Sequence, residues 1–153
     1  MSITFQQEPF EQAYGDAAPA LETHYDEIAE DKNVIGRIDP DLTVYRSLEK
    51  AGKLRILTAR DGEKLVGYYV AFLTRNLHYN ILCATEDMYY LAPEYRQGTL
   101  GIKLFIEAEK MIREAKAVIT VAKTKVSHNH GIIFERLGYR PFEHVYMKVL
   151  NGD

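Results

Sequence analysis

With 153 residues, 46% of them hydrophobic, the chain is sized for one compact domain, 1–153, with a full core. A net charge of −3 argues against a nucleic-acid surface, and a single cysteine, Cys83, offers neither a disulfide nor a zinc cluster. No stretch has the order of a signal peptide or the roughly 18 apolar residues of a membrane span, so a reducing, cytoplasmic setting without a membrane partner is expected.

In chain order, residues 2–5 suit a short first strand. Residues 8–30 follow a helical pattern through Phe10, Tyr14, Leu21, Tyr25 and Ile28, with a break expected at Gly15 and Pro19. A second helix starts with Asp39 as its cap and Pro40 in its first turn, runs through Tyr45 and Leu48, and stops at Gly52. Three antiparallel strands follow at residues 54–60, 65–73 and 81–91. Asp61-Gly62 makes the first hairpin and residues 75–80 the second. A long helix reads from Leu100, Leu104, Phe105, Ala108, Met111, Ile112 and Ala115 on one face and ends near Lys116. Residues 117–122 form a short apolar strand. A helix crosses over before it, so it should run parallel to the strand that ends at Leu91. Asn129 caps a last helix over residues 132–137, closed by Gly138. Residues 143–150 alternate Val145, Met147 and Val149 with His144, Tyr146 and Lys148, the pattern of a half-buried final strand.

The stretch richest in chemistry joins the third antiparallel strand to the long helix, from Tyr89 through Pro93, Arg96 and Gly98 to Gly101 and Leu104. A strand that feeds a helix through a glycine-containing loop leaves first-turn N–H groups unpaired at the positive end of the helix dipole, a site for an anion such as a pyrophosphate. Arg96 adds a fixed charge at its mouth. Neither GxxxxGK[ST] nor GxGxxG is present. The alternative is an ordinary strand-to-helix turn.

This loop resembles the acetyl-CoA loop of the GNAT acyltransferase superfamily, Arg/Gln-x-x-Gly-x-Gly/Ala. Arg96 takes the first position, Thr99 stands where the first glycine is usual, and Gly101 takes the second. Phe134-Glu135-Arg136-Leu137-Gly138-Tyr139 resembles the second signature of the family, Tyr-Glu-Lys-Leu-Gly-Phe. The two motifs and the element order cover roughly residues 54–149, and the wording of residues 87–96 looks most like GNAT proteins of bacteriophages and prophages. The resemblance implies an α/β (α+β) GNAT fold with one mixed, mostly antiparallel sheet of six or seven strands, four helices and a splayed parallel pair holding acetyl-CoA.

It further implies that the Leu91 backbone pairs with the pantetheine arm, while Arg96, Gln97, Gly98, Thr99, Leu100 and Gly101 hold the pyrophosphate. Asn129 either contacts the pantetheine amide or only caps its helix; Ser127 falls where the family asparagine is usual. Direct transfer to an amine needs a base within reach. Glu86 and Asp87 both lie in an apolar strand, where an unpaired carboxylate is costly. Strand alternation and parity with the family's base position select Asp87, on the face of Thr85 and Tyr89, with a buried ion pair as the alternative. His78 is expected to sit beside Asp87 and share its proton, or else to be a surface residue. Phe134 lacks the hydroxyl of the family's leaving-group acid, which leaves Tyr139, Tyr146 or water to serve.

His128-Asn129-His130 lacks a spread ligand set, so no metal is expected. Two functions remain open: an N-acetyltransferase acting on a primary amine, and a GNAT-fold CoA-binding or regulatory protein without turnover. A phage-encoded modifier of a host protein is a further reading. Glu22, His24, Glu27 and Asp41 are candidates for the acceptor wall and suggest a cationic acceptor; the alternative is a solvated acidic face. Dimerisation is common for this fold.

Overall fold

The computed structural model describes residues 2–150. Its element order is β1 (Ile3–Gln7), α1 (Phe10–Ile28), α2 (Lys32–Ile35), α3 (Leu42–Lys50), β2 (Leu54–Asp61), β3 (Lys64–Arg75), β4 (Leu82–Leu91), a single 3-10 turn (Pro93–Tyr95), α4 (Leu100–Glu114), β5 (Ile119–Val121) and α5 (Gly131–Arg136). The strands form one sheet in sequence order. Its first four members are antiparallel, and β4 and β5 are parallel, as expected for strands joined by a helical crossover.

The sheet is covered on both faces. On one side Leu57, Val66, Tyr69, Ala71 and Ala84 pack against Leu104, Phe105, Ala108, Met111 and Ile112 of α4 and Phe134 of α5. On the other, Leu54, Ile56, Tyr68, Val70 and Tyr90 pack against Phe10, Ala13, Ala17 and Leu21 of α1. Burying apolar area on both sides stabilises the sheet by roughly 25 cal/mol per Å² removed from water.

Several expectations need correction. The described residues form five strands, not six or seven, and five helices, not four, because a one-turn helix, α2, lies between α1 and α3. Helix α1 is continuous through Pro19. Gly15 and Pro19 lie on its exposed side, while Ala13, Ala17 and Leu21 hold the opposite side to the core, so one lost hydrogen bond does not end it. Asp41, not Asp39, caps α3: its Oδ1 accepts from the N–H groups of Thr43 and Val44, both at 3.1 Å. The first hairpin turns at Gly62-Glu63, because Asp61 stays in the ladder opposite Lys64 and Gly62 takes φ 60°. Residues 143–150 form no strand, and Val145, Tyr146 and Met147 are exposed.

One contact sets the geometry near β4. A Cβ on Gly67 would lie 2.8 Å from the Tyr90 carbonyl oxygen and 3.0 Å from Leu91 Cδ1, so only glycine lets β3 run this close to the end of β4. Across the sheet, Glu8 and Arg60 form a buried pair. Arg60 donates from Nε and Nη2 to Glu8 at 2.6 and 2.8 Å, and Thr58 Oγ1 donates to Glu8 at 2.6 Å. Burial alone would raise Glu8, but the bonds from Arg60, Thr58 and Gln6 outweigh it and hold the carboxyl down to about 2.

Replacing Glu8 by alanine leaves the Arg60 guanidinium buried with only Asp16 to pair it, and should cost about 3–5 kcal/mol in urea unfolding at pH 7. Because the folded carboxyl titrates below its ordinary 4.5, the stability it contributes is present above pH 4.5 and lost as pH falls toward 2. The wild type should show this acid loss and Glu8→Ala should not.

Candidate functional site

Strands β4 and β5 pair over three positions, Cys83 with Ile119, Ala84 with Thr120 and Thr85 with Val121. Beyond Thr85, β4 continues to Leu91 while β5 ends at Val121. At the point of parting, Glu86 Oε2 accepts from the Lys123 backbone N–H at 3.0 Å. The side chain is buried, and burial pushes Glu86 up to about 7, against the downward pull of the Lys123 N–H and charge.

The next residue breaks the register. Val70 pairs with Met88 and Ala71 with Glu86, so Asp87 is the extra residue of a β-bulge. This overturns the parity argument. Tyr89 packs on Phe105 and Phe134 on the α4 side, whereas Asp87 points to the opposite face, where Tyr45 Oη of α3 donates to its Oδ2 at 2.6 Å. Burial, and then this bond to Asp87, push the Tyr45 hydroxyl above its ordinary range, so it stays a donor. A bulge also leaves backbone groups of its extra residue outside the ladder.

His78 is not brought to Asp87. It lies exposed in the turn beyond Leu82, its N–H bound to Asn76 Oδ1. At roughly 3.3 Å per strand residue, Asp87 is about 16 Å from Leu82 along β4, so no proton is shared between them.

At the head of α4, the backbone N–H groups of residues 97–102 have no hydrogen-bond partner among the described residues; the first intrahelical bond runs from Lys103 N to Thr99 O. Gly98 has φ 83°, and the space where Gly101 would carry a Cβ is open. Thr99 is the N-cap, yet its hydroxyl makes no capping bond. Gln97, Gly98, Thr99, Leu100 and Gly101 therefore present a run of bare donors at the positive end of a 15-residue helix.

Arg96 stands differently from expectation. Its Nε donates to the Leu91 carbonyl at 2.7 Å and its Nη2 to Glu27 at 2.7 Å, with the guanidinium 5.6 Å from the centre of the Tyr90 ring. The Leu91 carbonyl is thus taken by a side chain of its own chain. Asn129 Oδ1 accepts from Gly131 N at 2.8 Å, but the N-cap of α5 is His130, whose side chain makes no capping bond, so Asn129 braces the turn before the helix and does not cap it.

Around His24, already a candidate for the acceptor wall, the α1 side gathers aromatic residues that the sequence did not bring together. His24 Nδ1 lies 2.9 Å from Tyr68 Oη and its ring packs on Tyr90, while burial pulls His24 down to about 4 despite nearby Glu27. Glu27 and Asp41 are engaged with Arg96 and the α3 cap, so they do not form a free acidic wall. Instead Phe10, Tyr14, Tyr45, Tyr68 and Met88 line an apolar cavity against the sheet. The loop after β5 also closes on α1: Lys125 Nζ donates to the Ile28 carbonyl at 2.6 Å, Ser127 bonds Glu30, and Tyr89 Oη lies 3.1 Å from His130 Nδ1. Phe134 is buried beside Tyr139, and Tyr146 is exposed. No group of three or more metal-ligating side chains, and no helix long and apolar enough to cross a membrane, occurs among the described residues.

No protein-family model and no curated protein sequence matches the chain. Solved structures do. A ribosomal-protein-alanine N-acetyltransferase from Brucella melitensis biovar Abortus 2308 superposes with a TM-score of 0.72 at 14% identity, covering 98% of this chain and 100% of that one. An aminoglycoside acetyltransferase from an uncultured soil metagenomic sample, in complex with sisomicin, gives 0.72 at 11% identity, with 96% of each chain covered. A transcriptional regulator from Bacillus halodurans C-125 gives 0.76 at 17% identity, covering 97% and 100%. The chain has the fold of the N-acetyltransferases over nearly its whole length.

Glu86 titrates in the folded protein above its ordinary 4.5, so its stabilising contribution is present below pH 4.5 and lost as pH rises through about 7. Glu86→Gln keeps an acceptor for Lys123 N–H and removes the buried charge. The variant should gain on the wild type between pH 5 and pH 8, by up to about 3 kcal/mol in urea unfolding.

Proposed function

We propose that this protein is an N-acetyltransferase that moves acetyl from acetyl-CoA to a primary amine by direct attack. The observation that carries the reading is the row of unpartnered N–H groups at residues 97–102, next to two parallel strands that part at Glu86. That pairing of features fits a ligand with a diphosphate and a long amide-bearing arm. The diphosphate suits the bare donors of residues 97–101 and the Thr99 hydroxyl. The amide arm suits the unpaired side of β4 beyond Thr85, by added-strand hydrogen bonding.

For the arm to bond Leu91, Arg96 must release the Leu91 carbonyl and shift against its partner Glu27. Asp87 is the proposed base. Tyr45 holds its carboxylate on the α1 and α3 side, away from α4, so the acceptor amine approaches from that side. The amine nitrogen bonds to the acetyl carbon, the carbon–sulfur bond breaks, the amine proton passes to Asp87, and the sulfur leaves as thiolate. With Phe134 unable to donate, water supplies the thiolate proton. A thiol of pKa around 8.5 leaves without strong acid help. The acceptor wall is aromatic rather than acidic, which favours an amine carried on an apolar or aromatic body over a polycation.

A second reading is a CoA-binding regulatory protein without turnover. The Leu91 carbonyl held by Arg96, and the loop tied across to α1 by Lys125, favour it.

Thiol release from acetyl-CoA across a panel of primary amines separates the two. Release is expected with at least one amine, and Asp87→Asn should lower kcat by about 10²–10⁴-fold while acetyl-CoA affinity stays within a fewfold. Coenzyme binding by calorimetry with no thiol release from any amine or host lysate would favour the binder, and no coenzyme binding would sink both. Gly101→Asp, which places a carboxylate among the phosphate donors, should raise the KM for acetyl-CoA at least tenfold.

A further inference from the structure

In the acetyl-transfer reaction proposed above, water protonates the departing sulfur and Glu86 takes no part. Yet Glu86 is only 4% exposed, and among the described residues its one hydrogen bond comes from the Lys123 backbone N–H, not from a cation. A buried acid held by a single neutral donor is one that keeps its proton easily.

Glu86 and Asp87 are consecutive but lie on opposite faces of β4. Glu86 shares the α4 face with Ala84, near Tyr69 and Tyr89, while Asp87 meets Tyr45 on the other. The opening past Thr85 lies in the plane of the sheet, so the two acids border it from either side. From Leu91 back to Glu86 is about 16 Å of strand at roughly 3.3 Å per residue. A coenzyme arm that starts at the head of α4 and follows β4 over that length brings its sulfur end to the point of parting.

Few groups face Glu86. Lys123, from the loop after β5, and Asp87 carry charge; Tyr69 of β3 and Tyr89 of β4 are pushed up by burial and stay neutral. Glu109 of α4 and Tyr139 act on Tyr69 instead. From β5 comes Thr120, whose Oγ1, like Tyr69 Oη, is buried without a hydrogen-bond partner among the described residues. Buried hydroxyls of this kind suit an ordered water. Burial outweighs Lys123 and sets Glu86 at about 7. A thiol, ordinarily around 8.5, holds a proton more tightly, so transfer from this carboxyl to a thiolate runs downhill.

We propose that Glu86 is the acid of the reaction, passing a proton through one water to the sulfur as the carbon–sulfur bond breaks. This rests on the acetyl-transfer reading. The electron pair of the broken bond goes to sulfur, the Glu86 O–H proton follows it along the water, and Glu86 is left as a carboxylate. Asp87 then gives up the amine proton to solvent and Glu86 takes one from solvent, so protons balance over a turnover. Acid and base thus stand on adjacent residues and work from opposite faces.

Glu86→Gln is the test, because it keeps the acceptor for Lys123 N–H and removes only the transferable proton; urea unfolding reads its fold separately. With an amine that turns over, kcat should fall at least about tenfold while the KM for acetyl-CoA stays within about twofold. Wild-type kcat should fall as pH rises from about 7 to 9, because the carboxyl loses its proton, and the variant should lack that limb. A readout without turnover uses CoA itself, its thiol titrated by thiolate ultraviolet absorbance in the complex. That thiol should ionise at a pH lower by about half a unit or more in Glu86→Gln, since the wild-type carboxylate is a like charge beside it. A wild type with no falling limb, a variant that keeps one, or a bound thiol unmoved by the substitution would overturn the proposal alone. Failure to bind CoA in calorimetry would remove the acetyl-transfer reading and this proposal with it.

Discussion

A buried carboxylate at the point where two parallel strands separate is the contact on which the rest depends. Past Thr85, β4 loses its neighbour, and backbone groups that lose a partner inside a protein are costly. Glu86 spans the opening by accepting from Lys123 N, which keeps the following loop beside β4 while leaving the strand's own backbone free further along. An ordinary ladder bond at this level would close the opening. A nonpolar residue would leave Lys123 N–H unpartnered. The side chain spaces β4 from the loop after β5 and ties them at once, at the cost of an acidic group in a poorly solvated place.

The bulge at Asp87 converts that opening into a two-sided site. Without the extra residue, Asp87 and Tyr89 would share a face; with it, Tyr89 joins the α4 core and Asp87 meets Tyr45 across the sheet. Gly67 contributes from the neighbouring strand, since its missing side chain lets β3 run close enough to fix the Tyr90–Leu91 backbone. The head of α4 and the α3 hydroxyl thus address opposite sides of one strand.

Much of this architecture is legible in the residues. Three antiparallel strands, the parallel fifth and the long helix follow from periodicity and turn chemistry, because their apolar faces are unbroken and Gly52, Gly62 and Gly98 mark the turns between elements. The bare N–H run is likewise implied by a glycine-bearing loop entering a helix. What escaped reading was nonlocal. A bulge leaves no mark in composition, so strand parity put Asp87 on the face of Tyr89; His78, read as a partner of Asp87 or else a surface residue, is the latter. Tyr45 reads as one more apolar-face residue of α3, and its hydroxyl acquires meaning only when the sheet is folded beneath it. Arg96 reads as a free cation because nothing local announces Glu27 on a helix 69 positions earlier. Residues 143–150 alternate as a strand should, but a strand needs a neighbour, which no pattern within the segment can supply.

Helices α1 and α3 are fastened to each other as well as to the sheet. Glu49 of α3 accepts from the Phe10 N–H at 2.7 Å, supplying the cap that Pro9 cannot, while Arg46 pairs with Glu11 and Tyr45 stacks on Phe10 with ring centres 5.3 Å apart. The connection between them contains two left-handed residues, Asp31 and Gly36. The pair therefore forms one tied layer over that face of the sheet. Tyr45 lines the aromatic cavity and bonds Asp87, so a displacement of this layer to widen the cavity would also move the Asp87 contact. The room in the cavity and the Tyr45–Asp87 contact are set by the same two helices.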